Sequence, residues 1–224
     1  KKDGEYTIHA TAVVDAAGGF GANNAMVSKY VPRLKGFSTT NHPGATGEGV
    51  VLAEKAGAAL IDMAEIQTHP TVVPNVGEMI TEAVRGNGAV LINKEGKRFF
   101  NELQTRDAVS AAILKQKDGV AYLFFDSDMQ KSLKATNNFK APYALSGETL
   151  DEIAGKMGVD ANTLKATMES YKKGKAAKKD EFDRANMPRD LDKGPFYAIL
   201  ITPAVHHTMG GIKIDSLTQV YNTQ

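Results

Sequence analysis

Thr81-Glu82-Ala83-Val84-Arg85-Gly86-Asn87-Gly88 opens the stretch on which the reading of this chain turns, and Thr105-Arg106-Asp107 closes it. Glu82 and Arg85 stand three residues apart, so a helix places them on one face where they pair. Ala89 to Phe100 then reads as a hairpin turning at Lys94-Glu95-Gly96-Lys97, with Gly96 supplying the positive φ that such turns need. Arg106 follows the hairpin. Taken alone, two arginines and a carboxylate describe an exposed ion-pair network that stabilises little. Their company points elsewhere: His69 precedes the stretch, and His206-His207-Thr208-Met209-Gly210-Gly211 follows it.

Working outward, 224 residues suffice for one large domain or two small ones with a sizeable core. A formal net charge of +1 argues against a nucleic-acid binder acting through bulk electrostatics. The lysines from Lys172 to Lys179 read as a solvated helix end rather than a binding patch. With no cysteine, the chain holds no disulfide, thiolate metal ligand or c-type haem attachment of its own. No apolar run reaches bilayer length and no signal peptide is read, so no membrane insertion is expected. Lys1-Lys2-Asp3-Gly4-Glu5 reads as a turn inside a domain, and the chain stops just after an apparent strand at Tyr221. It is expected to be an internal piece of a longer protein.

In order, Tyr6 to Asp15 reads as a strand entering a buried sheet, because its alternation gives way to Ala12-Val13-Val14. Ala16-Ala17-Gly18-Gly19-Phe20-Gly21 is a loop of small residues that permits close approach of a backbone or ligand. Asn23-Asn24 caps a helix to about Tyr30, ended by Pro32. His42 to Gly49 feeds a helix from Val50 to Ala56, closed by Gly57, whose N-terminal N–H groups suit polar or anionic cofactor groups. Short strands at Leu60–Met63 and Ile66–Gln67 lead to His69. Thr105 caps a helix to about Lys115, Val120–Phe125 is a strand, and Ser127–Ala135 is a helix. Thr149-Leu150-Asp151-Glu152 is a capping box, with Gly158 ending that helix. Asp160 starts the next helix, to about Lys173, whose Leu164, Met168 and Tyr171 stripe is core. A long polar loop runs from Gly174 to Gly194. Phe196–Thr202 is a strand leading to the histidine pair, and Gly211–Tyr221 is a hairpin.

The Thr81–Gly88, Thr105–Asp107 and His206–Gly211 motifs together resemble the soluble fumarate reductase flavoproteins. These are the flavocytochrome c type within the FAD-dependent succinate dehydrogenase/fumarate reductase superfamily. The resemblance runs from Ala12 to at least Asp215. It implies a mixed α/β and α+β fold: part of a Rossmann-like FAD-binding domain (residues 1–63 and 208–224) with an inserted capping, or clamp, domain (residues 64–207). The dinucleotide fingerprint G-x-G-x-x-G does not occur in the chain.

The resemblance also implies the chemistry. Hydride passes from flavin N5 to fumarate, Arg106 donates the proton, and Glu82 and Arg85 form the relay that reprotonates it, giving succinate. His69 and Thr81 hold one substrate carboxylate with Glu82 nearby, and His206 holds the other together with an arginine outside this chain. Met79 presses on the substrate and twists a carboxyl group out of the alkene plane. Ala17, Gly18, Gly19, Thr46, Gly47 and Glu48 contact FAD, with Glu48 where the family usually has Asp, and His207 lies beside the flavin ring. Neighbours on a strand point to opposite faces, so His206 and His207 are not expected to share a metal ion. Without the resemblance, the histidines would read as satisfied groups at strand ends. Two alternatives stay open: a related ene-reductase for urocanate, methacrylate or another acrylate, and a non-catalytic clamp domain. An electron-donor domain or protein is implied as partner, with haem or FMN in parts of a longer parent. The implied compartment is the periplasm or cell surface, with the cytoplasm as alternative. These residues by themselves are expected to hold FAD weakly and to be inactive.

Overall fold

The computed structural model describes residue 4, residues 6–132 and residues 143–223. The turn expected at Lys1–Glu5 and the far end of the helix expected to reach Ala135 fall largely outside these residues. Helix α1 (Asn24–Tyr30) begins where Asn23 accepts the Met26 N–H at 3.0 Å, and Pro32 diverts the chain into a short 3-10 turn. Helix α2 (Glu48–Lys55) starts two residues earlier than the sequence suggests, because Gly47, at φ 78°, serves as its N-cap. Strands β1 (Leu60–Ile61) and β2 (Ile66–Val72) follow, then α3 (Glu82–Gly86), β3 (Val90–Ile92), α4 (Arg106–Leu114), β4 (Ala121–Asp126) and α5 (Ser127–Ser132). The order closes with β5 (Ala144–Gly147), α6 (Leu150–Met157), α7 (Ala161–Ala176), β6 (Phe196–Thr208) and β7 (Gly211–Ile212).

Most of the local readings hold. The cap at Thr149 forms, its hydroxyl accepting the Glu152 N–H at 3.2 Å, while the Glu152 carboxylate reaches back one residue further to accept the Glu148 N–H at 2.9 Å, and Gly158 ends α6 at φ 70°. Not every reading holds. Tyr6–Asp15 forms no strand: Val13 and Val14 are 89% and 88% exposed, and no described strand runs beside them. Apolar alternation makes a strand only where a neighbouring ladder takes up the backbone N–H and C=O groups. Thr105 sits at the N-cap of α4 but makes no side-chain capping bond; its hydroxyl instead holds the Asp107 carboxyl below the usual range.

Strand β6 is the spine of the fold. Its Phe196–Ile201 half lies antiparallel between β4 and β5, and its Thr202–Thr208 half pairs with β2, giving the order β2-β6-β4-β3 with β5 also on β6. The strand therefore continues through the histidine pair instead of ending at Thr202. A separate two-stranded sheet joins β1 to β7. The larger core packs α4, α6 and α7 around β3 and β4 and includes Leu164, Met168 and Tyr171 as expected. A smaller core gathers Phe20, Val27, Leu34 and Val50 with Ile66 and Val205. The two cores are joined through β2 and β6, where the histidines lie.

Candidate active site

The site is built on an irregularity in that pairing. Gln67 stands opposite His207 and Thr68 opposite Val205, so His206 is an extra residue in β6, the signature of a β-bulge. Regular pairing would set His206 opposite Thr68 and send it to the face away from His69. The bulge sets His69 opposite Ala204, two residues before His206, and brings both imidazoles to one face with ring centroids 5.1 Å apart.

His69 is 1% exposed, and its Nδ1 accepts the Thr71 N–H at 3.4 Å, which leaves the ring proton on Nε2. Burial, then the neighbouring His206, Arg106 and Arg85, push its pKa down to about 4. Burial, with Arg106 and His207, also lowers His206. Both rings are therefore neutral near pH 7, and they act as hydrogen-bond donors rather than cations. The Thr71 hydroxyl donates to the Ile80 carbonyl at 2.7 Å, tying the Met79–Thr81 segment to β2. Met79 lies opposite Val72 with its side chain partly exposed, and Thr81 is the N-cap residue of α3.

The expected arginine–glutamate chain is present. Arg106, the first residue of α4, grips Glu82 with two parallel bonds, Nε to Oε1 at 2.7 Å and Nη2 to Oε2 at 2.8 Å. Arg85 Nη2 lies 3.5 Å from Glu82 Oε1 across one turn of α3. The hydrogen bonds and charge of Arg106 hold the Glu82 carboxyl below its usual range, and Glu82 in turn raises Arg106. Arg85 differs from the other two in being buried. Desolvation lowers its pKa against the pull of Glu82, and its Nε has no partner among the described residues.

Two groups escaped the sequence reading. Gln67 accepts Arg106 Nη1 at 2.7 Å; its spacing of two from His69 on a strand was the available signal. Behind Arg85 lies a buried ionic cluster. Glu102 is fully buried and accepts from Arg98 (2.8 Å), Arg184 (2.8 Å) and the Leu91 N–H (3.1 Å), while its main-chain carbonyl accepts Arg85 Nη1. Asp180 completes the cluster on Arg98 at 2.7 Å. Arg184 comes from the long polar loop, where nothing local marks it as buried.

The residues expected at FAD also converge. Gly47 N–H donates to the Gly19 carbonyl at 3.1 Å, Ala22 N–H to Ala45 at 2.9 Å, and the Asn23 side chain to Thr46 at 2.9 Å, joining the two glycine-containing loops. A Cβ on Gly19 would meet the Thr208 hydroxyl at 2.3 Å, so this pair of loops abuts the strand end carrying His207, which is exposed. Gly18, at φ 79°, has nothing within 4 Å where a side chain would begin, and Ala17 is exposed beside it. Glu48 opens α2 with its side chain in solvent. A bare backbone face next to a helix N-terminus fits a flat cofactor with polar edges. Among the described residues no three metal-binding side chains cluster, and no helix is long and apolar enough to cross a membrane.

Comparison with protein-family models matches residues 1–224 to the FAD binding domain. The chain belongs to the FAD-binding domain family. This FAD-binding chain is 48% identical over 223 residues to the "Fumarate reductase (cytochrome)" of Shewanella frigidimarina, covering 99% of this chain and 39% of that protein. It is 37% identical over 230 residues to the "Urocanate reductase" of Eggerthella lenta, covering 97% of this chain and 38% of that protein. Among solved structures, the open conformation of a flavocytochrome c3 fumarate reductase superposes with a TM-score of 0.80 at 38% identity, over 93% of this chain and 37% of that one. The resemblance read from the motifs, the mixed helix-and-sheet fold and the FAD cofactor are thereby borne out. The FAD-binding chain spans about two fifths of the length of these curated relatives.

Proposed function

We propose that this chain carries the substrate-reducing site of an FAD-dependent fumarate reductase, with residues 1–63 and 208–224 on the FAD side and residues 64–207 as the clamp. The observation that carries the reading is the Arg106–Glu82–Arg85 chain placed beside two neutral imidazoles. FAD, when bound, supplies the hydride. Ala17, Gly18, Gly19, Thr46, Gly47, Glu48 and His207 would hold it. His69 with Thr81 on one side, and His206 on the other, offer N–H and O–H donors to the two carboxylates of a C4 substrate. Met79 would press on the bound acid.

As hydride adds to one alkene carbon, the other gains carbanion character, and Arg106 protonates it. Pairing with Glu82 makes Arg106 a weaker acid, which would defeat proton transfer to an ordinary base; a carbanion is basic enough to take the proton. A proton then passes from Arg85 through the Glu82 carboxylate to Arg106, and a proton from solvent restores Arg85, so the three groups end in the protonation states in which they began. An electron-donor domain or protein re-reduces the cofactor. The family resemblance favours an extracytoplasmic compartment, with the cytoplasm as the alternative.

Substrate choice is tested by steady-state rates on fumarate, urocanate and methacrylate, with a reduced viologen as donor to the flavin-loaded longer protein that carries this chain. Buried carboxylate donors left unpaired discriminate strongly, so kcat/KM for fumarate should exceed the other two by roughly 100-fold or more. Equal or faster urocanate reduction would transfer the reading to an ene-reductase like the Eggerthella lenta relative. No reduction of any of the three would favour a non-catalytic clamp.

A further inference from the structure

The segment Ser38–Asn41 runs alongside the bulge in β6 and takes up the backbone groups that the bulge leaves over. Val205 N–H donates to Ser38 at 2.9 Å, Thr40 N–H donates to Val205 at 2.9 Å, and the Asn41 side chain donates to the carbonyl of His206 itself at 3.0 Å. The Thr40 hydroxyl then lies 2.7 Å from His206 Nδ1.

We propose that Thr40 is a positioning residue that donates its hydroxyl proton to His206 Nδ1, and so fixes His206 as the tautomer that presents Nε2–H to a substrate carboxylate. The direction of the bond follows from what the hydroxyl could otherwise do. Among the described residues its only other acceptor is the Val205 carbonyl at 3.5 Å, which already accepts the Thr40 N–H at 2.9 Å and the Thr39 hydroxyl at 3.2 Å. A carbonyl has two lone pairs, so the third bond is poor and the proton goes to the imidazole. His69 is set the same way, its Nδ1 engaged by the Thr71 N–H. Two threonines thus turn both rings to present Nε2–H. The arrangement matters because His206 is neutral at working pH: the opposite tautomer would offer a lone pair to an anion.

The activity arm of the test rests on the proposed function; the tautomer arm does not. In nitrogen-15 spectra of the protein, His206 should show an unprotonated Nδ1 and a protonated Nε2 at pH 7. In viologen-coupled turnover of the flavin-loaded longer protein that carries this chain, Thr40→Val should raise KM for fumarate roughly tenfold, as loss of one buried donor does, with kcat within about twofold. Thr40→Ser should restore KM. The charged and titratable groups facing His206 are Arg106 on α4, Glu82 on α3, His69 on β2 and His207 on β6. None of them is changed by the substitution. The KM defect of Thr40→Val should shrink as pH falls through the lowered pKa of His206, where a protonated ring carries both N–H groups again. A proton on Nδ1 in the wild-type protein, an unchanged KM in Thr40→Val, or a Thr40→Ser as impaired as Thr40→Val would each overturn the proposal. If Thr40→Val fails to fold, the wild-type spectrum still decides. A longer wild-type protein inert toward fumarate, urocanate and methacrylate would refute the functional reading alone.

Discussion

Because His69 is buried neutral, acid should destabilise this protein through one identifiable group. Its pKa is about 4 in the folded chain against about 6.5 for an unperturbed histidine. Between those values the unfolded chain binds a proton that the native chain does not, so stability falls as pH drops through 6.5 and stops falling below 4. Integrating that difference gives a loss of about 2 kcal/mol by pH 5 and roughly 3 kcal/mol by pH 4. The carboxylates titrate in the same range, so the measurement is a difference between the wild type and His69→Gln, which cannot titrate there. Urea unfolding followed by far-UV circular dichroism at pH 7, 6 and 5 should show the wild type losing about 2 kcal/mol relative to the variant. With typical urea slopes this moves the midpoint by about 0.7–2 M. Glu82, which raises His69, stays ionised over this window because Arg106 holds its carboxyl low. Parallel stability curves for the two proteins would refute the claim that His69 is held neutral by burial.

In the longer protein that carries this chain, Arg106→Ala should abolish turnover while flavin content and KM stay near wild type, since an interaction used only in the transition state lowers kcat alone. Substantial residual turnover would move the proton donor elsewhere. Arg184→Met removes a fully buried partner of Glu102 and should cost about 3–5 kcal/mol. The melting temperature should then drop by roughly 6–20 °C. Lys179→Ala breaks the exposed pair with Asp183 and should stay within about 0.5 kcal/mol. A similar Tm for the two variants would show that the cluster behind Arg85 contributes no more than a surface pair.

What the amino-acid order determined by itself is short-range. The Glu82–Arg85 spacing, the Asn23 and Thr149 caps, the Gly96 turn and the apolar stripe of α7 each depend on residues within one or two helical turns, and each forms. The motif order was enough to name the family. Tyr6–Asp15 shows the limit of local pattern, because a strand exists only with a neighbour. Arg184 shows another: its burial depends on Glu102, 82 residues away, and a loop of charged residues looks the same whether or not one of them turns inward. The geometry of the candidate site was set by register. His206 and His207 are adjacent, and alternation alone could not say which of them shares a face with His69. One extra residue in β6, held by the Ser38–Asn41 segment, decided it, because side chains on a strand alternate with a period of two and an inserted residue reverses the faces until the second irregularity, between His69 and Val72, restores the register.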